Sequence, residues 1–394
     1  MTGTKPQIVY FLSASDRINY GDLLFPLVFQ AFAKDAGYAV DFRNYGVVSS
    51  NLTHFKALPT SSYASLLRDL KREPGKLVVG GGEVFFASWS TLYAFIQPLY
   101  SRLMRKPRFK RLLQRYAVAS RLLGTRAVQV PFCPLPSELG VPQLPIYYSS
   151  VGGAFSGTPQ TGLNLHLQQA LTAARLVSVR DERSFKSMKE HSVSAQLVPD
   201  SALLMSELFP IAFLETQLSF SNLSFSQPYL YLQLGSYKGP TDLKNFAVSL
   251  RELADSLGLQ VVLCPIGLAP GHEDDTILKA FAALDTTFRY VQPQSVYDVM
   301  FLIAQSKLYL GTSLHGIITA QSFGVPCFGL NPKLSKVSSY IQTWIDPTFS
   351  CFDFDSLAEV SALYRNWPTE RISLQTAEQK QMVAQNLHQI LQDL

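Results

Sequence analysis

The 394 residues contain no Walker loop, no HExxH, no GxSxG and no paired CxxC. Those absences exclude P-loop nucleotide hydrolysis, zincin chemistry, the serine-hydrolase elbow and paired-cysteine zinc modules. The four cysteines, Cys133, Cys264, Cys327 and Cys351, have no metal-ligand spacing, and Cys264 and Cys327 lie in apolar runs of strand character. Buried free thiols in a reducing compartment are expected, with no metal and no cofactor. No apolar run reaches the roughly 18 residues of a membrane span. The opening MTGTKPQIVYFLS lacks the basic-then-apolar plan of a secretory signal, so a cytoplasmic address is expected. Charge is also scarce, at 16% of residues against 47% apolar. That balance belongs to a folded globular chain, and the length suits two domains of about 150 to 200 residues each. The formal charge of +5 is a mild excess that admits an anionic substrate or a membrane surface.

What is present centres on residues 308–330, LYLGTSLHGIITAQSFGVPCFGL. Residues 308–310 form a short apolar run of strand character, Gly311, Thr312 and Ser313 a small polar turn, and 314–323 has helical apolar spacing. Gly324-Val325-Pro326 ends that helix before a further strand at 327–330. The pattern is a βαβ unit with glycine and hydroxyl residues at a strand's carboxyl end, where ligands bind beside the positive end of the next helix. His315, on the first helical turn beside Leu314, can face the same crevice. A histidine that only hydrogen-bonds a loop explains the position equally well.

Upstream, 7–12 reads as a buried first strand and 23–33 as an apolar helix, joined by SASDRINYGD. Gly21 lets the backbone approach a ligand, and Asn19 and Asp22 are good helix caps, although an ordinary capped turn needs no more than this. A second strand follows at 38–42. Asp41 there is the acid a dinucleotide site would use, but the first turn lacks GxGxxG, so NAD is not expected. Residues 76–79 form a strand that runs into Gly80-Gly81-Gly82-Glu83. Three glycines clear side chains for a phosphate, a sugar or tight packing.

Between 102 and 126 stand Arg102, Arg105, Lys106, Arg108, Lys110, Arg111, Arg115, Arg121 and Arg126 among Leu, Met, Phe and Tyr. One or two amphipathic basic helices are expected, with a face suited to anionic lipid, to an acidic glycan, or simply to water. Stacking aromatics are not arranged as in a nucleic-acid platform, so no nucleic acid partner is expected. Residues 131–158, rich in Pro and Gly, read as an irregular connection whose 147–153 segment can line a site. A strand at 176–179 ends on Arg180-Asp181, and Ser184 begins the next helix. Arg180 then presents a fixed positive fork to the crevice, unless it pairs with Asp181 or another surface carboxylate. The plan repeats at 196–198, ending on Pro199-Asp200-Ser201. Residues 218–228 read as a linker, 229–234 and 260–263 as strands, and 295–305, 360–364 and 378–394 as helices. Trp89, Tyr147, Tyr148 and Tyr237 can stack on sugar faces or fill the core.

Two sets of βα units predict an α/β protein of two doubly wound Rossmann-like domains facing a cleft. The first spans 1–222, the second 223–375, and 376–394 forms a C-terminal helix that packs back across the boundary.

The landmarks Asn19-Tyr20-Gly21-Asp22, Gly80-Gly81-Gly82, Ser178-Val179-Arg180-Asp181 with Ser184, Pro199-Asp200, Leu314-His315-Gly316, Gly324-Val325-Pro326 and Lys336-Val337 occur in that order. Together they resemble the polysaccharide pyruvyl transferase family, from about residue 7 to 336. The resemblance implies a GT-B-like fold, phosphoenolpyruvate as donor, and a pyruvyl group moved onto a sugar or lipid-linked glycan to close a cyclic ketal. The first domain then holds the acceptor and the second the donor. His315 becomes the general acid/base and Arg180 a donor anchor. Asn19, Gly21, Asp22, Gly80, Gly81, Gly82, Glu83, Asp181, Gly311, Thr312, Ser313 and Leu314 become substrate contacts. Family members often carry arginine where this chain has Ser313, so Arg17 or Lys336 is expected to supply the missing charge. Peripheral contact with the cytoplasmic face of a membrane, through the basic segment, is part of the same expectation. A GT-B glycosyltransferase using a nucleotide sugar is the rival, with Glu273, Asp274 and Asp275 as its nearest approach to a ribose-binding acid. A non-catalytic glycan-binding relative is the other.

Overall fold

Among the residues that the computed structural model describes (6–85, 87–155, 162–220, 225–268 and 274–393), twelve strands form two sheets, and every strand pairing is parallel. The first sheet contains β1 (Gln7–Leu12), β2 (Val40–Tyr45), β3 (Lys76–Gly80), β4 (Ile146–Val151), β5 (Leu176–Val179) and β6 (Gln196–Leu197), in the order β2-β1-β3-β4-β5-β6. The second contains β7 (Tyr229–Gln233), β8 (Gln260–Leu263), β9 (Arg289–Tyr290), β10 (Leu308–Gly311), β11 (Cys327–Leu330) and β12 (Cys351–Phe352), in the order β12-β11-β10-β7-β8-β9. Parallel strands covered by helices on both faces must be apolar throughout, which is why β3, β4, β5, β7, β10 and β11 are buried along their whole length. The α/β, doubly wound architecture is as expected.

Strand order reverses between β1 and β3 in the first sheet and between β7 and β10 in the second. Chain segments leaving the carboxyl ends of those strands diverge to opposite faces and leave a crevice, the usual ligand site of an open α/β sheet. The helices Tyr20–Asp35, after β1, and Leu314–Ser322, after β10, belong to one continuous apolar cluster that also takes in β7 and the C-terminal helix Thr369–Gln392. The two sheets are thus joined by a shared core, and their crevices open on each other.

Several elements differ from the expectation. β4 falls inside the supposed irregular connection, because IYYSSV is buried on both faces and shows no alternation to mark it. The basic segment is three helices, Pro98–Met104, Pro107–Arg115 and Val118–Leu122, with Pro at the start of the first two. A helix at Ser335–Trp344 carries Lys336 on its first turn. The C-terminal helix starts at Thr369 and bridges both halves. Its Gln379 donates to the Trp344 carbonyl at 2.6 Å, while the Ile390 carbonyl accepts from Lys76 Nζ at 2.6 Å. Just beyond it, Tyr147 donates to Asp393 at 2.8 Å. Among the described residues no helix is long and apolar enough to cross a membrane.

Candidate functional site

A cavity of about 360 Å³ lies where the two switch points meet, within the roughly 300 to 1,000 Å³ typical of small-molecule sites. The segment after β1 contributes Arg17, Asn19 and Asp22, the end of β3 and its following turn contribute Gly80, Gly81, Gly82 and Glu83, and Arg180 follows directly on β5. From the second half come Gln233, Lys238, Ile266, Gly267, Asp274, Ser313, Leu314, His315 and Lys336. Of the residues singled out from sequence, Gly21, Asp181, Gly311 and Thr312 do not line it, and each has a different task.

Gly21 clears space for His315. A Cβ there would overlap the imidazole, which lies against the backbone of helix Tyr20–Asp35 and meets the Phe25 ring edge-on at 5.2 Å. The close approach is to a side chain of the other half, not to a ligand. Tyr20 secures the same contact, its hydroxyl 2.9 Å from Thr319 Oγ1, which donates to the His315 carbonyl at 2.6 Å. Asn19 holds Asp22 at 3.0 Å, and the adjoining backbone pairs with residues 266–268 of the second half.

The triple glycine is divided in the same way. A Cβ on Gly80 would overlap Phe11 and one on Gly81 would overlap Phe25. Only Gly82, with φ +77°, opens toward the cavity, its nearest neighbour being Asp22 Oδ1 at 3.9 Å. Asp181 caps the helix Glu182–Glu190 by accepting from Ser184 N at 2.8 Å. Gly311 makes room for Tyr309, and Thr312, fully buried, bonds Gly235 N and Gln233.

Arg180 is not an open fork. It is fully buried, donating from Nη1 to Asp200 at 3.0 Å and from Nη2 to Glu83 at 3.4 Å, and its carbonyl accepts from Trp344 Nε1 at 2.7 Å. Its partners are not Asp181 but the buried Asp200 and the exposed Glu83. Burial works against the charge, but Asp200, Glu83 and Asp181 outweigh it and keep the guanidinium ionised. Burial likewise pushes the Glu83 carboxyl up, and Arg180, Arg183 and Lys336 pull it below its ordinary value.

Asp200, like Lys238, is a residue that sequence reasoning left out of the site. It caps the short helix Ser201–Leu204 through Ala202 N at 3.0 Å, and its Oδ2 faces both Arg180 Nη1 and His315 Nε2, the latter at 3.7 Å. The second distance is ion-pair range, too long for a hydrogen bond, and leaves the imidazole Nε2 with no bonding partner. Burial pushes the Asp200 carboxyl up, yet His315, Arg180 and the Ala202 N–H hold it below the ordinary carboxylate value.

Lys238 and Lys336 project into the cavity, and neither ammonium is bonded to a described residue. Burial, reinforced by the charges of Lys238 and Arg180, lowers Lys336 to about 8, against the pull of Glu83 and Asp22. Burial lowers Lys238 as well, with Asp274 opposing. Asp274 is raised to about 6 by burial, even though Ile266 N, Gly267 N and Gln233 Nε2 all donate to it. Arg17, the other suggested anchor, is buried beside Asp16 at 3.4 Å and lies over the Phe95 ring. A lysine between glycines just past a strand, as in QLGSYKG after β7, was the readable signal for Lys238. Of the suggested sugar-stacking residues, Trp89, Tyr147 and Tyr148 are core, and Tyr237 is exposed away from the cavity lining. Glu273 lies outside the described residues.

Residues 143–333 match the family model described as polysaccharide pyruvyl transferase. That stretch is similar to the polysaccharide pyruvyl transferase family over a little under half of the chain. It carries Arg180, Asp200, Lys238, Asp274 and His315, while the Asn19 turn, the triple glycine and Lys336 lie outside it. No curated protein sequence matches the chain. Among solved structures, UDP-GlcNAc 2-epimerase from Neisseria meningitidis bound to UDP-GlcNAc is similar at TM-score 0.54 and 13% identity, covering 98% of each chain. The UDP-GlcNAc 2-epimerase from Methanocaldococcus jannaschii is similar at 0.53 and 12%, covering 92% of this chain and 94% of that one. The enzyme of the same name from Rickettsia bellii gives 0.52 and 11%, with 98% of each covered. At such identities the likeness is one of fold, the GT-B arrangement, which this chain shares.

Proposed function

We propose that the chain transfers the pyruvyl group of phosphoenolpyruvate to a sugar of a polysaccharide or lipid-linked oligosaccharide, closing a cyclic ketal. The match of residues 143–333 to the family model supports pyruvyl transfer in general. The observation that carries the finer reading is the pair of ammoniums, Lys238 and Lys336, unbonded to any described residue, in one cavity with His315, which the buried Asp200 backs at 3.7 Å. A small donor bearing both a carboxylate and a phosphate needs two cationic anchors, and the helix N-terminus at Ser313 adds N–H donors without charge.

In the reaction C3 of the donor gains a proton and becomes the methyl group. Two sugar hydroxyl oxygens bond to C2, the C2–O bond to phosphorus breaks, and phosphate departs carrying the remaining proton. His315 takes the first hydroxyl proton and returns it, with Asp200 stabilising the imidazolium in between. Arg180 keeps Asp200 ionised and is a positioning residue. Lys336 or Lys238, not a side chain at 313, takes the role of the family's arginine.

The test is incubation with phosphoenolpyruvate and candidate glycans, following phosphate. Release that depends on the acceptor is expected. Nucleotide release from a UDP-sugar would instead favour a glycosyltransferase, and binding without turnover a non-catalytic relative.

A further inference from the structure

From Glu83 to Glu138 the chain has no Asp or Glu between the two, yet nine Arg and Lys fall between 102 and 126. All nine are exposed, and among the described residues none forms an ion pair with a carboxylate. The same short stretch holds six of the thirteen large apolar side chains that the described residues expose: Leu99 at 70%, Leu122 at 64%, Leu112 at 50% and Phe109 at 46%, with Leu103 and Tyr116. The helix Pro107–Arg115 buries none of its residues, although 109, 112, 113 and 116 recur at helical spacing. An amphipathic helix normally hides that stripe against its own core, and single exposed apolar residues are usually scattered.

We propose that this three-helix face docks on an anionic lipid bilayer, with Phe109, Leu112, Leu99 and Leu122 entering the acyl boundary and the cations holding phosphodiester headgroups. Charge alone would suit any polyanion. The concentration of apolar side chains among the charges selects a partner with both a negative surface and an apolar interior. The docked face is also one layer from the cavity. Helix Trp89–Ala94 packs on Pro98–Met104 and Val118–Leu122, while Thr91, Leu92 and Phe95 line the cavity wall. A glycan still attached to its lipid would then reach the site from the bilayer. That last clause rests on the function proposed above, and the docking itself does not.

Co-sedimentation of the full chain with vesicles tests the proposal. Binding to phosphatidylcholine vesicles containing phosphatidylglycerol, and not to phosphatidylcholine alone, is expected, weakening as salt rises from about 0.1 M to about 0.5 M. The double variant Arg108→Gln/Arg111→Gln should bind about 30-fold more weakly, at the usual worth of two surface cations. Phe109→Ser/Leu112→Ser, with every charge kept, should also lose most of its binding. Undiminished vesicle binding by that apolar variant would overturn the proposal, as would an acidic polysaccharide capturing the wild type while anionic vesicles do not. Phosphate release with a water-soluble acceptor should be the same in all variants. Its absence from the wild type would count against the pyruvyl reaction and leave the vesicle result standing.

Discussion

His315 Nε2 stands 3.7 Å from Asp200 Oδ2, an imidazole of one half facing a fully buried carboxylate of the other. The same oxygen takes a 3.0 Å hydrogen bond from Arg180. A cation delivered to His315 during turnover is therefore met by an acid already fixed in place, which costs no reorganisation at that moment. Asp200→Asn should lower kcat by roughly 10² to 10⁴-fold, the range of a lost proton-transfer contribution. His315→Ala should do the same, and the double variant should be little worse than either, because the pair acts as a unit. Additive losses in that cycle would show that the two residues work independently.

Gly21→Ala separates the site from the fold. Alanine is the better helix former by about 1 kcal/mol, so the helix Tyr20–Asp35 gains intrinsic propensity. The new Cβ overlaps the imidazole of His315, which must move. A displacement of about 1 Å is enough to cost on the order of 100-fold in rate. Circular dichroism and thermal unfolding should remain close to wild type while activity falls. Full activity in this variant would mean that the imidazole position does not matter.

Arg180→Met tests whether Arg180 is a substrate contact or an internal brace. Its removal leaves Asp200 in a dry environment with no guanidinium, and breaking such a buried pair typically costs about 3 to 5 kcal/mol. Urea unfolding should show that loss. The depressed Asp200 carboxyl contributes stability that is present above the ordinary carboxylate range and lost as pH falls through its lowered value. The difference between wild type and Arg180→Met should shrink accordingly in acid. A variant with unchanged stability but weakened donor binding would return Arg180 to the role of an open anchor.

These relationships explain which parts of the molecule were readable from sequence. Strands buried on both faces announce themselves as apolar runs, so 76–79, 229–234, 260–263 and 308–310 stood out. The run at 146–151 did not, because its two serines and the surrounding prolines resemble a loop. Two-residue edge strands such as β9 and β12 carry no periodicity at all. At the site, Gly21 reads from sequence as a place where a ligand nears the backbone, and Gly80 and Gly81 as room for a ligand or for tight packing; in each case the neighbour is a ring of the chain itself. Whether a ligand or an aromatic ring approaches is settled only by distant elements, Phe11 for Gly80, Phe25 for Gly81 and His315 for Gly21. Arg180 looked like an open fork for the same reason, since Asp200 is twenty residues downstream and Glu83 nearly a hundred upstream.

Lys336 offers the sharpest opposition between stability and binding. Its ammonium is half-buried at the cavity wall without a bonding partner among the described residues and is held at about 8, well under the ordinary lysine value of 10.5. The folded chain therefore binds fewer protons than the unfolded chain between those values, and stability rises with pH across that window. Below pH 8 the charge is present in both states, and its desolvation cost is fully felt. Lys336→Met should raise the melting temperature at pH 7, with the advantage vanishing as pH climbs toward 10.5. The same substitution should weaken phosphoenolpyruvate binding, because an anion in the cavity gains from the charge that the fold tolerates poorly. In the wild type that affinity should fall as pH rises above about 8, by at most about tenfold per pH unit for one proton. Calorimetry in two buffers of different ionisation enthalpy should register proton uptake on binding there. A Lys336→Met protein that is less stable at pH 7, or that keeps the wild-type pH dependence of donor affinity, would remove this lysine from the donor site.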